Sequence, residues 1–119
     1  MVMGEHAGRG FVLCVTIVAE SIVESRLIEA IRGAGARGWT LTPARGKGPR
    51  DRRVSDIEGG NVRIETLVSE DVAERIWDVL ASDFFPNYAI AAWTYQVQVA
   101  RMDRYGNFED EKHHGKEQG

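Results

Sequence analysis

Residues 61–82 read NVRIETLVSEDVAERIWDVLAS, and the hydrophobic period changes inside that stretch. From Asn61 to Val68, Val62, Ile64, Thr66 and Val68 fall on one face and Arg63, Glu65 and Leu67 on the other, the two-residue period of a strand. From Ser69 onward, Val72, Ile76, Val79 and Leu80 recur at helical spacing instead. Ser69 fits an N-cap, and Glu70 and Asp71 suit the positive end of a helix dipole. The stretch therefore predicts a half-polar strand running straight into a helix that ends near Ser82.

The same alternation repeats upstream. Gly10 to Ala19, GFVLCVTIVA, is a nearly uninterrupted β-branched run and predicts a central strand covered on both faces. Ser21 and Glu24 have the spacing of a capping box, and Val23, Leu27, Ile28 and Ile31 mark a helix over about residues 22–34, stopped by the glycines at 33, 35 and 38. Trp39 to Ala44 alternates Trp39 and Leu41 against Thr40 and Thr42, a second strand. Downstream, Phe84-Phe85-Pro86-Asn87-Tyr88 reads as a turn, and Ala91 to Ala100 sets Trp93, Tyr95, Val97 and Val99 against Thr94, Gln96 and Gln98, a fourth strand. The order βαββαβ is that of an α+β, ferredoxin-like sandwich with both helices on one face of an antiparallel sheet. The other face, carrying aromatic residues, predicts a homo-oligomer. Residues 1–9 and the polar segment 103–119 are expected to flank one domain over 10–102.

Composition narrows the function classes. The 119 residues, 43% hydrophobic and 28% charged, contain no apolar run near the about 20 residues that span a bilayer, and the N-terminus lacks a secretory pattern. A cytoplasmic chain without membrane insertion is the expectation. Cys14 is the one cysteine and lies in an apolar strand, which predicts a buried small hydrophobe. His6, His113 and His114 are near the termini, away from the predicted elements, so no metal site is expected. GAGARG, Gly33 to Gly38, ends a helix instead of opening one and is not a dinucleotide fingerprint. A Walker A loop is absent, because Leu41 stands where its first glycine belongs and no Ser or Thr follows Lys47. No acid, base and nucleophile set falls on core elements, and an enzyme is not expected; Glu65 is the one candidate, and an ion pair with Arg63 or a loop arginine explains it better.

The stretch Thr42 to Arg53, TPARGKGPRDRR, stands apart. Arg45, Lys47, Arg50, Arg52 and Arg53 face only Asp51 within a chain of net charge -3, and Gly46 and Gly48 allow backbone N–H groups to approach an anion. At about 15 residues, the loop between strands two and three is longer than a hairpin requires, which favours a phosphate-binding role.

In combination, GWTLTPARGKG (Gly38 to Gly48), NVRIETLVSED, FFPNYA (Phe84 to Ala89) and VARMDRYG (Val99 to Gly106) resemble the PII signal-transduction superfamily over residues 11–106. The short FF-x-x-YA turn is most similar to PII-like proteins associated with carboxysomes and bicarbonate transporters. The resemblance implies a homotrimer whose inter-subunit clefts each take an adenine nucleotide, and a mobile T-loop that touches a regulated partner, here a bicarbonate transporter or carboxysome component. It implies Thr40 and the backbone of Leu67 at the adenine, and Gly46, Lys47, Gly48 and Arg50 at the phosphates. Asn87, Tyr88 and Ala89 match the B-loop, and Arg101 the first arginine of a closing R-x-R that reaches in from the adjacent subunit. Asp103 replaces the second arginine, with Arg104 beside it. The B-loop lacks the glycines and lysine of the nitrogen-regulating members, which favours ADP or AMP over ATP. The loop 45–60 has no tyrosine, so uridylylation is not expected. Bicarbonate is a candidate second ligand, and no cofactor is implied.

The alternative is an RNA- or other phosphate-polymer-binding module of the same topology. The strands argue against it: NVRIETLV has no stacking aromatic, and the first strand offers Phe11 alone, at its edge.

Overall fold

The computed structural model describes residues 8–46 and 60–105; Lys47, Gly48 and Arg50 of the expected phosphate site lie outside the described residues. Strands β1 (Arg9–Glu20), β2 (Thr40–Ala44), β3 (Asn61–Val68) and β4 (Ala91–Ala100) form one antiparallel sheet in the order β2-β3-β1-β4, with helices α1 (Glu24–Ala34) and α2 (Glu70–Asp83). This is the ferredoxin-like α+β plan that the period changes predict.

Register sorts the side chains. Ile17 pairs with Ile64 and Ala19 with Val62, and these face the helices. Against them α1 buries Leu27 and Ile31, and α2 buries Val72, Ala73, Ile76 and Leu80. Val79, expected in that stripe, is half-buried, and the buried stripe is turned toward Ala73 instead. Full burial of each large aliphatic side chain contributes about 1.5–3 kcal/mol, so these residues form the stabilising centre.

Helices cover β1 on one face only. On the open face Cys14 lies between Leu67 and Tyr95, and Thr16 between Glu65 and Trp93. Cys14 and Thr16 are buried among these larger cross-strand neighbours, which is why an edge-to-edge apolar run arises without a second helical layer.

Two local features differ from the sequence reading. The first helix is entered through a 3-10 turn, Ser21–Val23, with no side-chain cap; the backbone N–H of Ser21 instead donates to Gly60 O at 3.0 Å. Past β4, residues Met102–Tyr105 form a 3-10 turn that folds back toward the start of β1.

Candidate functional site

A cavity of about 350 Å³ opens at the edge of the sheet where β2 begins. Its first wall follows from the end of α1. Gly35, at φ 120°, closes a Schellman motif in which its own N–H donates to Arg32 O (3.0 Å) and that of Ala36 to Ile31 O (2.9 Å). Arg75 of α2 donates from Nε to Ala34 O at 2.8 Å, satisfying another terminal carbonyl. Thr66, buried under the sheet, then donates its hydroxyl to Gly38 O at 2.6 Å, which pins the segment carrying Arg37, Trp39 and Thr40 to the cavity rim.

The second wall is β3. Thr40 pairs with Glu65, and β2 extends no further along this edge, so Leu67 and Val68 are left facing the cavity. Among the described residues, Glu65 is the one carboxylate lining it. Arg63 donates to Glu65 Oε2 at 3.2 Å and stands 5.8 Å from the Trp93 ring centroid, so the expected ion pair is present and is backed by a cation–π contact. The Cys14 thiol lies 4.0 Å from the same carboxylate oxygen and 3.7 Å from Thr16 Oγ1. The neighbouring Cys14 thiol, and to a smaller extent desolvation and Glu65, push the Tyr95 phenol above its ordinary range.

The third wall is the C-terminal turn, which brings Arg104 and Tyr105 to the cavity. Among the described residues no group of His, Cys, Asp and Glu is arranged to hold a metal.

Thus Thr40, Leu67 and Arg104 of the expected site meet in one place. Arg101 does not join them: it is exposed, with φ 58°, and forms the bend between β4 and the turn. Asn87, Tyr88 and Ala89 lie elsewhere. Their turn is held by Asn87 and Tyr88 N–H bonds to Phe84 O, by the Phe84–Tyr88 ring contact and by Arg26 donating to the Tyr88 hydroxyl. It leads into β4 at Ala91, which pairs with Val18, near the end of the sheet where Ala44 pairs with Asn61 and Gly46 follows. Asn61 to Leu67 is six steps along the strand, about 20 Å at 3.3 Å each. Among the described residues, Thr40, Leu67 and Arg104 on one side and Asn87, Tyr88 and Ala89 on the other therefore form two separated groups.

Arg37, Trp39 and Tyr105 were not singled out by the sequence reading. Arg37 and Tyr105 carry no periodic signal, and Trp39 was read only for its place in the alternation of the second strand. Only the fold-back of distant segments makes them neighbours.

Comparison with known proteins bears on the family and the fold. The family model for nitrogen regulatory protein P-II matches residues 12–104. A protein of Thermus thermophilus described as a PII-like signaling protein is 45% identical, with 82% of this chain and 97% of that one covered and a TM-score of 0.70. CPII of Thiomonas intermedia, in a structure bound to ADP and bicarbonate, is 17% identical over 82% of this chain and 96% of its own, TM-score 0.73, a likeness of fold. Its apo form aligns with a TM-score of 0.66 at 16% identity, over 78% of this chain and 96% of its own. With the family model spanning both helices and all of the sheet but the first three residues of β1, the chain belongs to the nitrogen regulatory protein P-II family.

Proposed function

We propose that this chain is a homotrimeric PII-like regulator that binds an adenine nucleotide, ADP or AMP, in clefts between subunits. Nucleotide occupancy changes the conformation of the loop 45–60, and that loop regulates a partner in inorganic-carbon metabolism, a bicarbonate transporter or a carboxysome component in the cytoplasm. The observation that carries this reading is the separation of the site. Thr40, Leu67 and Arg104 line one cavity, while Asn87, Tyr88 and Ala89 sit toward the opposite end of the sheet. A second copy bringing its turn and loop against the cavity unites the two groups.

Lys47, Gly48 and Arg50, with Gly46, supply the phosphate contacts, and Arg101 approaches from the C-terminal bend. CPII, with the same fold, is seen with ADP and AMP and with bicarbonate, which supports the ligand class and a second, anionic ligand. A loop of like charges stays open until an anion neutralises it. Switching a population from 1:99 to 99:1 needs about 5.5 kcal/mol of differential affinity, and several phosphate contacts at about 1.5–3 kcal/mol each suffice. Glu65 is engaged by Arg63, so the reading is one of binding without turnover.

Calorimetric titration of the purified chain with ADP, AMP, cyclic AMP and ATP, each with and without bicarbonate, tests this. The expected result is saturation near one nucleotide per subunit, with ADP affinity altered by bicarbonate. Absence of binding by all four removes the nucleotide reading, and unchanged affinity with bicarbonate removes the second ligand.

A further inference from the structure

The turn between α2 and β4 has an inner and an outer side. Phe84 is buried, and Tyr88 and Ile90 pack against the same core, whereas Asn87 and Ala89, which alternate with them, are exposed. The Tyr88 side chain is held at both ends. Its ring lies against Phe84, with centroids 6.0 Å apart, and its hydroxyl accepts a hydrogen bond from Arg26 of α1. The backbone around it is closed on its own side of the molecule. Asn87 and Tyr88 N–H donate to Phe84 O at 3.0 and 2.9 Å, and Phe84 and Phe85 N–H donate to Leu80 O at 3.1 and 2.8 Å. Those four bonds join the turn to itself and to the end of α2; the bond from Arg26 ties it to the other helix. With the Tyr88 ring and hydroxyl both engaged inside their own chain, the outward-facing Asn87 and Ala89 and the backbone between them are left to meet a ligand.

We propose that the side chain of Tyr88 contacts no ligand and that Arg26 and Tyr88 are a positioning pair: Arg26 fastens the turn to α1, and the fastened turn presents Asn87 and Ala89 to the nucleotide of the neighbouring chain in one geometry. This rests on the adenine-nucleotide reading above, reassigns one of its residues and adds another. The effect on affinity is one of pre-organisation. Without the tether the turn samples other positions in the free protein, and the apparent affinity falls by the fraction of time the competent position is lost.

The test is ADP titration of the full chain and its variants. Arg26→Ala weakens ADP binding about three- to tenfold, the range of one hydrogen bond, and Tyr88→Phe, which keeps the ring against Phe84, weakens it equally. Because both changes remove the same tether, the double variant binds no more weakly than either single one. Arg26→Lys keeps a donor and binds like the parent, a rescue that a general loss of packing at α1 would not show. Parental affinity in Arg26→Ala overturns the tether, as does an Arg26→Lys variant as weak as Arg26→Ala. A Tyr88→Phe loss that adds in full to that of Arg26→Ala places the hydroxyl on the ligand and overturns the positioning role. These outcomes leave the nucleotide reading intact so long as the parent chain binds ADP, whereas a parent chain that binds none removes both.

Discussion

Two glycines two positions apart respond oppositely to the same substitution, and the difference lies in backbone angle and space. Gly35 has φ 120°, and a Cβ there would sit 3.0 Å from Val72 Cγ2 and 3.2 Å from Arg75 Nη2. Gly33 is helical, with nothing within 4 Å of an added Cβ. Gly33→Ala is therefore expected to stabilise the fold by about 0.5–1 kcal/mol, whereas Gly35→Ala destabilises it by about 1–3 kcal/mol, both read from denaturant midpoints. From sequence the two were equivalent members of a helix stop. Conformation, which depends on where the chain goes next, separates them. Thr66 carries a second residue-scale consequence. Its hydroxyl is the donor to Gly38 O, so Thr66→Val costs about 0.5–1.5 kcal/mol, the net worth of one hydrogen bond, because the exposed Gly38 carbonyl can turn to water. It also loosens the rim bearing Thr40, and ADP titration is expected to show weaker binding.

At the scale of elements, β3, β4 and both helices were legible because each follows a single period over eight or more residues, and β1 because its β-branched run is nearly uninterrupted. Helix entry was less legible. Both Ser21 and Ser69 satisfy a capping pattern, yet only Ser69 accepts a bond from the backbone, from Val72 N–H at 3.3 Å. Ser21 is committed through its backbone to Gly60 O, which draws the chain into a 3-10 turn before α1 begins. Ser69→Ala is therefore expected to cost about 1 kcal/mol and Ser21→Ala a few tenths at most, a contrast that thermal denaturation of the two variants checks. The cavity was half legible for a related reason. Thr40 and Leu67 lie on strands whose register follows from pattern, whereas Arg37, Trp39 and Tyr105 are placed by a Schellman turn and a C-terminal bend, which local sequence does not specify.

For the whole molecule, the open face of the sheet decides how the cleft is completed. One cross-strand row runs Thr40, Glu65, Thr16, Trp93, so the cavity and the half-exposed aromatics Trp93 and Tyr95 belong to the same surface. If a second copy covers that surface, the subunit contact and the ligand site are one continuous structure. A charge buried at Trp93 then breaks both, since an unpaired ion in a contact costs several kcal/mol, while Thr40, Leu67 and Arg104 stay in place within their own chain. Trp93→Glu is expected to lower the mass measured by light scattering to that of a single chain and to weaken ADP binding more than tenfold. A variant that kept the parent's mass would show that the open face is not the interface. A single-chain variant retaining parental ADP affinity would show that one chain holds the whole site, in which case the turn at Asn87 to Ala89, at the far end of the sheet, has no part in binding.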